Sequence, residues 1–182
     1  MPTPALLVMD VQPAVVARYP DPAYLPRLAT ALEAARAASV PVIHVGVGFR
    51  PDYAEIHPRN KMFGRLAAAP RGSGATDFHP ETAPLDDEVV VTKRRVSAFA
   101  GSDLDLVLRA QGVDHLVLTG IATSGVVLST LRQAADLDFQ LTVLADGCLD
   151  GDPEVHRVLT EKVFPTQAEV RTIADWAGSL DV

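Results

Sequence analysis

The sequence is poor in cysteine and in positive charge, and both shortages limit what the protein can do. Its 182 residues include one cysteine, Cys148, which excludes an intramolecular disulfide and a CxxC-type metal site. The 16 lysines and arginines are outnumbered by 23 acidic residues, so the formal net charge is −7. This balance disfavours nucleic acid and anionic membrane surfaces as partners.

Long apolar runs are also missing. No run approaches the roughly 18 apolar residues of a membrane-spanning helix. The stretch "MPTPALLVMDVQ" lacks a basic region and its apolar run stops at Asp10, so we expect no signal peptide and a cytoplasmic protein. There is no GxxxxGK[ST] phosphate loop, and "GVG" at 46–48 is too short for a dinucleotide fingerprint. We therefore expect no cofactor.

The residues that are present indicate one α/β domain spanning 1–182. Hydrophobic residues make up 48% and charged residues 21%, as is typical of globular chains. Runs of Val, Ile and Leu without polar alternation are typical of parallel strands covered on both faces. Helical patterns lie between these runs, which predicts a three-layer, Rossmann-like fold with a six-stranded, mostly parallel sheet flanked by helices. The predicted strands are 5–9, 41–45, 88–92, 115–119, 140–145 and 168–173.

Helix boundaries are marked by capping residues. The stretch 23–39, "AYLPRLATALEAARAAS", is rich in Ala and Leu and predicts the first long helix. A second helix is expected from a Ser102 cap to a stop at Gly112. A third is expected to begin with Asp152 as its cap and Pro153 in its first turn.

Residues 46–87 are too long for an ordinary connection and are rich in Gly, Pro and charge. Loops of this length in compact domains are usually functional lids or disordered. We expect a lid, with a short helix in "NKMFGRLAAA" and its most flexible part in "PRGSGATD", residues 70–77.

Polar residues follow several of the predicted strands. Asp10 and Gln12 follow the first strand, Lys93 the third, and Gly120 the fourth. Ligands of open parallel sheets bind at the carboxyl ends of the strands, near a switch in strand order. An aspartate and a lysine that meet there favour each other's charged forms and are poised for proton transfer. The alternative is that Asp10 caps the next turn and Lys93 is solvated.

The chain resembles the isochorismatase-like hydrolase superfamily, which includes nicotinamidases, N-carbamoylsarcosine amidases and isochorismatases. The resemblance lies in "LLVMDVQ", "VVVTKRRVSAF…DLDLVLRAQGVDHLVLTGIATSGVVLSTLRQAADLDFQLTVLADGCLD" and "EVHRVL", in that order over almost the whole chain. It implies the same six-stranded fold, hydrolysis of a small molecule, and assembly as a homodimer or homotetramer.

The resemblance also implies where the site lies. Cysteine hydrolases of this superfamily use an Asp, a Lys and a Cys, and Asp10 and Lys93 match the first two. The Cys comes six residues after the glycine that ends the strand, which is Val126 here. The cis peptide of the family falls at Ile121–Ala122, and backbone N–H groups of this turn, through Gly125, would form an oxyanion hole.

Valine at the nucleophile position removes the thioester route, because an isopropyl group cannot attack a carbonyl carbon. Siderophore-type isochorismatases also lack the Cys; their Asp protonates a vinyl ether and water then adds. We therefore predict a hydrolase with Asp10 as acid or base and Lys93 as its electrostatic partner. The alternatives are a catalytically silent small-molecule-binding protein and an amidase that uses an unexpected nucleophile such as Cys148.

Further residues are candidates for the pocket. Thr123 and Ser124 are expected to cap the following helix or bind substrate, and acting as the nucleophile is their alternative role. Lid residues Arg50, Arg59, Lys61 and Arg65 could bind a substrate carboxylate or be solvated. The predicted substrate-binding set is Gln12, Arg50, Phe63, Ser97, Phe99, Thr123 and Ser124.

The histidines do not indicate a metal site. His79 in "DFHP" lies far from the position of the D-x-H metal motif of nicotinamidases, and no second His at ligand spacing accompanies it. His44, His115 and His156 are interpreted as structural. We therefore expect no metal ion.

Overall fold

The computed structural model describes residues 2–67 and 77–180. The six predicted strands form one sheet whose neighbouring strands are all parallel, in the order β3-β2-β1-β4-β5-β6. The predicted α/β fold is confirmed. The strands are β1 (Pro4–Met9), β2 (Val42–Val47), β3 (Val89–Lys93), β4 (His115–Ile121), β5 (Gln140–Leu149) and β6 (Glu169–Arg171).

Strand order reverses between β1 and β4. The chain builds β1, β2 and β3 toward one edge, then returns to place β4 beside β1 and continues to the other edge. Leu7 at the centre pairs with Ile43 on one side and Leu118 on the other, and all three side chains are fully buried. The carboxyl ends of β1 and β4 therefore form the switch point where ligands of such sheets bind.

Helices cover both faces of the sheet. One core packs the sheet against α4 and α5, and the other packs it against α2 and α7. The α-helices are α1 (Pro13–Val16), α2 (Tyr24–Ala37), α3 (Gly64–Ala67), α4 (Leu104–Ala110), α5 (Leu128–Asp136), α6 (Pro153–Val158) and α7 (Ile173–Ala177). Turns of 3-10 type span Pro80–Thr82 and Phe164–Thr166, and turns of π type span Thr123–Val127 and Leu159–Val163.

The predicted helix ends agree largely with the structure. The Asp152 carboxylate accepts hydrogen bonds from the N–H groups of Glu154 and Val155 at the start of α6. Helix α4 begins after Asp103, one residue later than predicted, although the Ser102 hydroxyl still accepts a hydrogen bond from the Leu104 N–H at 3.3 Å.

The segment predicted as a lid carries the expected short helix, α3. Strand β2 continues to Val47, so the connection begins two residues later than expected. The part predicted to be most flexible, 70–77, lies outside the described residues except for Asp77. Over the described ranges, no helix has the length and apolar character needed to cross a membrane.

Candidate active site

Asp10 and Lys93 meet at the carboxyl end of the sheet. Asp10 directly follows β1 with a φ of 58°, and its N–H donates to the Val45 carbonyl at 2.7 Å, which fixes it against β2. Lys93 is the last residue of β3. Its Nζ lies 2.9 Å from Oδ2 of Asp10, and the two residues are 1% and 8% exposed. A buried ion pair therefore spans the end of the intervening strand.

The two charged groups differ in how many of their donor or acceptor atoms have hydrogen-bond partners. The Lys93 ammonium also donates to the carbonyls of Arg95 and Val96, both at 3.0 Å, so all three of its donors have acceptors. The second carboxylate oxygen of Asp10, Oδ1, is buried and has no hydrogen-bond partner among the described residues. One oxygen of this carboxylate is held by Lys93, and the other has no hydrogen bond from the described residues.

Burial shifts both groups toward their neutral forms. Loss of solvation raises the pKa of Asp10, although the charge and hydrogen bond of Lys93 oppose this shift. Loss of solvation likewise lowers the pKa of Lys93, against the attraction of Asp10. These opposed pKa shifts reduce the free-energy difference between the state with the proton on Lys93 and the state with the proton on Asp10. Such a small difference suits a group that both gives and takes a proton.

The turn after β4 brings Val126 to the same place. Val126 is 1% exposed, and the peptide bond between Ile121 and Ala122 is cis. The Gly125 N–H, predicted to be an oxyanion donor, already donates to the Ala122 carbonyl at 3.0 Å. The Gly125 N–H is therefore not available in this conformation, and this part of the prediction is not supported.

A cavity of about 600 Å³ opens between these elements. It has the size of a small-molecule site and a mostly apolar wall with a few polar groups. From the predicted site it is lined by Asp10, Gln12, Phe63, Lys93, Ile121, Ala122, Gly125 and Val126. It is also lined by Pro13, Ala14, Val15, Arg18, Tyr19, Val47, Gly48, Phe49, Tyr53, Met62, Asp77 and Val96.

Gln12 supports the cavity floor. Its side-chain oxygen accepts from the Val47 N–H at 3.0 Å, and its side-chain nitrogen donates to the Val47 carbonyl at 3.2 Å. These two bonds join the loop after β1 to the end of β2, so α1 is held in a fixed place beside Asp10. Arg18 and Tyr19, which follow α1 and line the cavity, were missed by the sequence reasoning. Their place in the connection after β1, at the carboxyl edge of the sheet, is the signal that could have identified them.

Five predicted substrate-binding residues are not among the described residues that line the cavity. Arg50 bonds to Glu55 at 3.3 Å. The Ser97 hydroxyl donates to the Gln133 side chain at 2.7 Å, and Phe99 packs against Phe139. These side chains have partners elsewhere, so their predicted contact with substrate is not supported.

Thr123 and Ser124, the remaining two, anchor the turn. The Thr123 hydroxyl is hydrogen-bonded to Nδ1 of His156 at 2.8 Å. The Ser124 N–H donates to the Asp150 carboxylate at 2.7 Å. These contacts tie the Val126 turn to the segment after β5, and neither residue lines the cavity.

Cys148 does not offer a substitute nucleophile. It is 3% exposed within the core packed against α4 and α5, and burial raises the pKa of its thiol to about 12. Reactive thiols need an accessible, electropositive setting that lowers the pKa. The structure therefore argues against the amidase that uses Cys148.

The histidines have structural contacts. His44 is fully buried and lies 3.0 Å from a Glu88 carboxylate oxygen. His79 Nδ1 accepts from the Glu81 N–H at 3.4 Å, and His115 contacts the Thr142 hydroxyl at 2.9 Å. In the described part of the chain, no three His, Cys, Asp or Glu side chains lie close enough together to hold a metal ion.

The segment predicted as a lid is tied to the residues that follow Lys93. The Glu55 carboxylate lies 3.1 Å from Nε of Arg94, and Arg95 donates to the Glu55 carbonyl at 2.6 Å. Arg95 also supplies one of the carbonyls that hold the Lys93 ammonium. The same short loop therefore positions both the segment around Glu55 and the lysine.

The chain is similar to isochorismatase family proteins in both sequence and structure. The isochorismatase domain profile matches residues 4–175. The isochorismatase family protein YecD of Escherichia coli O157:H7 is 32% identical, covering 98% of this chain and 96% of its own. The ureidoacrylate amidohydrolase RutB of Stutzerimonas stutzeri is 34% identical, covering 97% and 79%. An isochorismatase family protein from Burkholderia thailandensis, of known structure, is 30% identical, with a TM-score of 0.86 over 100% of this chain and 97% of that one.

Proposed function

Because the chain belongs to the isochorismatase family of hydrolases, we propose that it hydrolyses a small molecule by proton transfer at Asp10, without a covalent intermediate. The observation that carries the proposal is the set of residues around one cavity. The cavity is lined by the Asp10–Lys93 pair, at 2.9 Å, and by Val126, which has no nucleophilic atom.

The free carboxylate oxygen of Asp10 supplies the proton chemistry. With an amide or carbamate, Oδ1 takes a proton from water as the water oxygen bonds to the carbonyl carbon. The carbon–nitrogen bond then breaks while Asp10 returns that proton to the leaving nitrogen. With a vinyl ether, protonated Asp10 gives its proton to the vinyl carbon, water adds to the resulting cation, and the released proton returns to Asp10. The hemiketal formed in this way then breaks its ether carbon–oxygen bond, which gives a carbonyl compound and a free alcohol. In both cases one water is consumed and Asp10 ends as it began.

Lys93 stabilises the deprotonated form of Asp10. Its ammonium lies against Oδ2 and is fixed by the carbonyls of Arg95 and Val96. A fixed positive charge stabilises the carboxylate whenever Asp10 has lost its proton. The N–H groups of Ala122 and Val126, residues that both line the cavity, are the donors we propose for the substrate oxygen as it gains charge.

The experiment is a substrate panel on matched variants. The panel holds vinyl ethers including isochorismate, simple amides, carbamates, and ureidoacrylate, since one relative is named for that activity. We expect Asp10→Asn to lower turnover of every accepted substrate by about 100-fold or more. The exposed Asp86→Asn serves as the control and should leave turnover unchanged. Equal turnover by wild type and Asp10→Asn on every accepted substrate would overturn the proposal.

A silent binding protein is the second candidate, and Val126 at the nucleophile position favours it. The same panel separates the two functions if thermal unfolding is followed beside product formation. A silent binder is stabilised by compounds that it never converts. A hydrolase forms product from at least one of the compounds that stabilise it.

A further inference from the structure

We propose that Arg18 selects the ligand by binding a carboxylate at the rim of the cavity, so that ligands combine one carboxylate with a flat apolar body. The inference rests on the proposed function only in that it concerns the same cavity. Arg18 is exposed and lines the cavity, which places its guanidinium where the cavity meets solvent. It was not among the residues that the sequence indicated.

Arg18 differs from most arginines of this chain in having no side-chain partner among the described residues. Arg27, Arg36, Arg94 and Arg157, for example, are paired with acidic groups. Arg59, Arg95 and Arg132 bond instead to neutral groups. In the described ranges, Arg65 is the other arginine whose guanidinium has no hydrogen bond or ion pair with a described residue, but it does not line the cavity. An unpaired guanidinium beside a cavity keeps its planar set of donors free for two parallel bonds to a carboxylate.

Few charged residues that line the described cavity could bind the charged end of a ligand. Lys93 and Asp10 neutralise each other at 2.9 Å. The remaining charged residues that line the described cavity are Arg18 and Asp77. The segment that carries Arg18 is held close to the site because only residues 10–12 separate β1 from α1 and Gln12 is bonded twice to Val47. We therefore assign the binding of the ligand's charged end to Arg18. The alternative, a cationic ligand bound by Asp77, is examined in the same test.

The lid supplies a surface for the rest of the ligand. The ring of Phe49 lies 5.3 Å from that of Phe63 in an edge-to-face arrangement and 6.2 Å from that of Tyr53. All three residues line the cavity, so the rings form one aromatic wall. Aromatic rings pack favourably against flat, unsaturated molecules. A planar apolar body is thus favoured over a branched or strongly hydrated one.

The test measures binding and needs no turnover. The probes are benzoate and cinnamate, their neutral counterparts benzamide and cinnamamide, and cinnamylamine as the cation, each titrated by calorimetry at pH 7. We expect wild type to bind each carboxylate about tenfold or more tightly than its amide. Arg18→Gln should remove this preference, Arg18→Lys should retain part of it, and the control Arg65→Gln should leave it unchanged.

Several outcomes would overturn the inference. These are equal binding of acid and amide, a carboxylate preference that survives Arg18→Gln, or no carboxylate binding up to about 10 mM. Preference for the amine, lost in Asp77→Asn, would assign the charged end to Asp77 instead. Absence of turnover with an intact Arg18-dependent preference would overturn only the proposed hydrolysis. If hydrolysis is observed and its rate is unaffected by Arg18→Gln, only this inference is overturned.

Discussion

Lys93 and Asp10 form an ion pair across the end of a strand to which neither belongs. In the sheet, β2 lies between β1 and β3, and Val47 at its end is in register with Lys93. The lysine side chain passes this end to place Nζ 2.9 Å from Oδ2 of Asp10. Since both groups are buried, their loss of solvation must be offset by mutual attraction and by hydrogen bonds.

Removal of Lys93 alone should be more damaging than removal of both charges. Lys93→Met leaves the Asp10 carboxylate buried without a cation, and we expect a loss of about 3–5 kcal/mol in the free energy of unfolding at pH 7. The double variant with Asp10→Asn should recover part of this loss, because neither charge remains. Urea denaturation provides the measurement, with the exposed Lys162→Met as control. Equal losses for the single and double variants would contradict this account of the pair.

Glu88 should make the fold sensitive to acid. Burial alone would raise the pKa of its carboxyl, but hydrogen bonds from Arg36, the Leu85 N–H and His44, with the charge of Arg36, lower the pKa from 4.5 to about 2. A lowered folded-state pKa gives stability that is present above about pH 4.5 and lost as the pH falls toward 2.

We therefore expect Glu88→Gln to lower the free energy of unfolding at pH 7 by about 2–3 kcal/mol. The difference from wild type should shrink as the pH is lowered from 4.5 toward 2. Glu154→Gln, which breaks an exposed pair with Arg157, is the matched control and should have little effect at any pH. A Glu88→Gln effect that stays constant on acidification would show that the carboxylate charge is not its source.

The sheet was predictable from sequence because its strands are continuous apolar runs, but several strand ends were not, most clearly those of β5 and β6. Strand β5 was predicted to stop at 145 but runs to Leu149. The register of its pairing with β4 shifts, so the strand continues past Asp146 and Gly147, which interrupt the apolar run. Strand β6 was predicted to reach 173 and stops at Arg171, because the Thr172 hydroxyl accepts from the Asp175 N–H and begins α7.

Placement at the sheet edge was predictable for backbone positions and poorly predictable for side chains. Asp10, Lys93 and Val126 follow from where their strands end. Arg50 was expected over the cavity, but it is bonded to Glu55, a partner that sequence order does not reveal. Arg18 was overlooked because its stretch, "VVARYP", carries no motif.

Gly120 should tolerate substitution much less well than Gly112, although both have positive φ values of 140° and 66°. A Cβ at Gly120 would lie 2.2 Å from the carbonyl oxygen of Met9 on the adjacent strand, whereas nothing lies within 4 Å of one at Gly112. We expect Gly120→Ala to cost about 3 kcal/mol or more, and Gly112→Ala about 1 kcal/mol. Equal urea midpoints for the two variants would contradict the close approach of β4 to β1.

Val126→Cys should introduce a reactive thiol into the site. The new sulfur would lie in the cavity wall that also contains Asp10 and Lys93, where a base and a fixed cation favour the thiolate. In a Cys148→Ala background we expect its alkylation by iodoacetamide to be about tenfold or more faster than that of Cys148 in wild type. Cys148 is the natural reference, because burial raises the pKa of its thiol to about 12.

The same variant tests whether the rest of the hydrolytic machinery is intact. If the Asp10–Lys93 pair and the turn around Ala122 are competent, Val126→Cys should hydrolyse amides or carbamates through an acyl adduct on the new sulfur, visible by mass spectrometry of the intact protein. Val126→Ala enlarges the cavity without adding a nucleophile and should form no adduct. If Val126→Ala gains the same turnover as Val126→Cys, added space and not the thiol is responsible, and direct attack by water remains the mechanism in both variants.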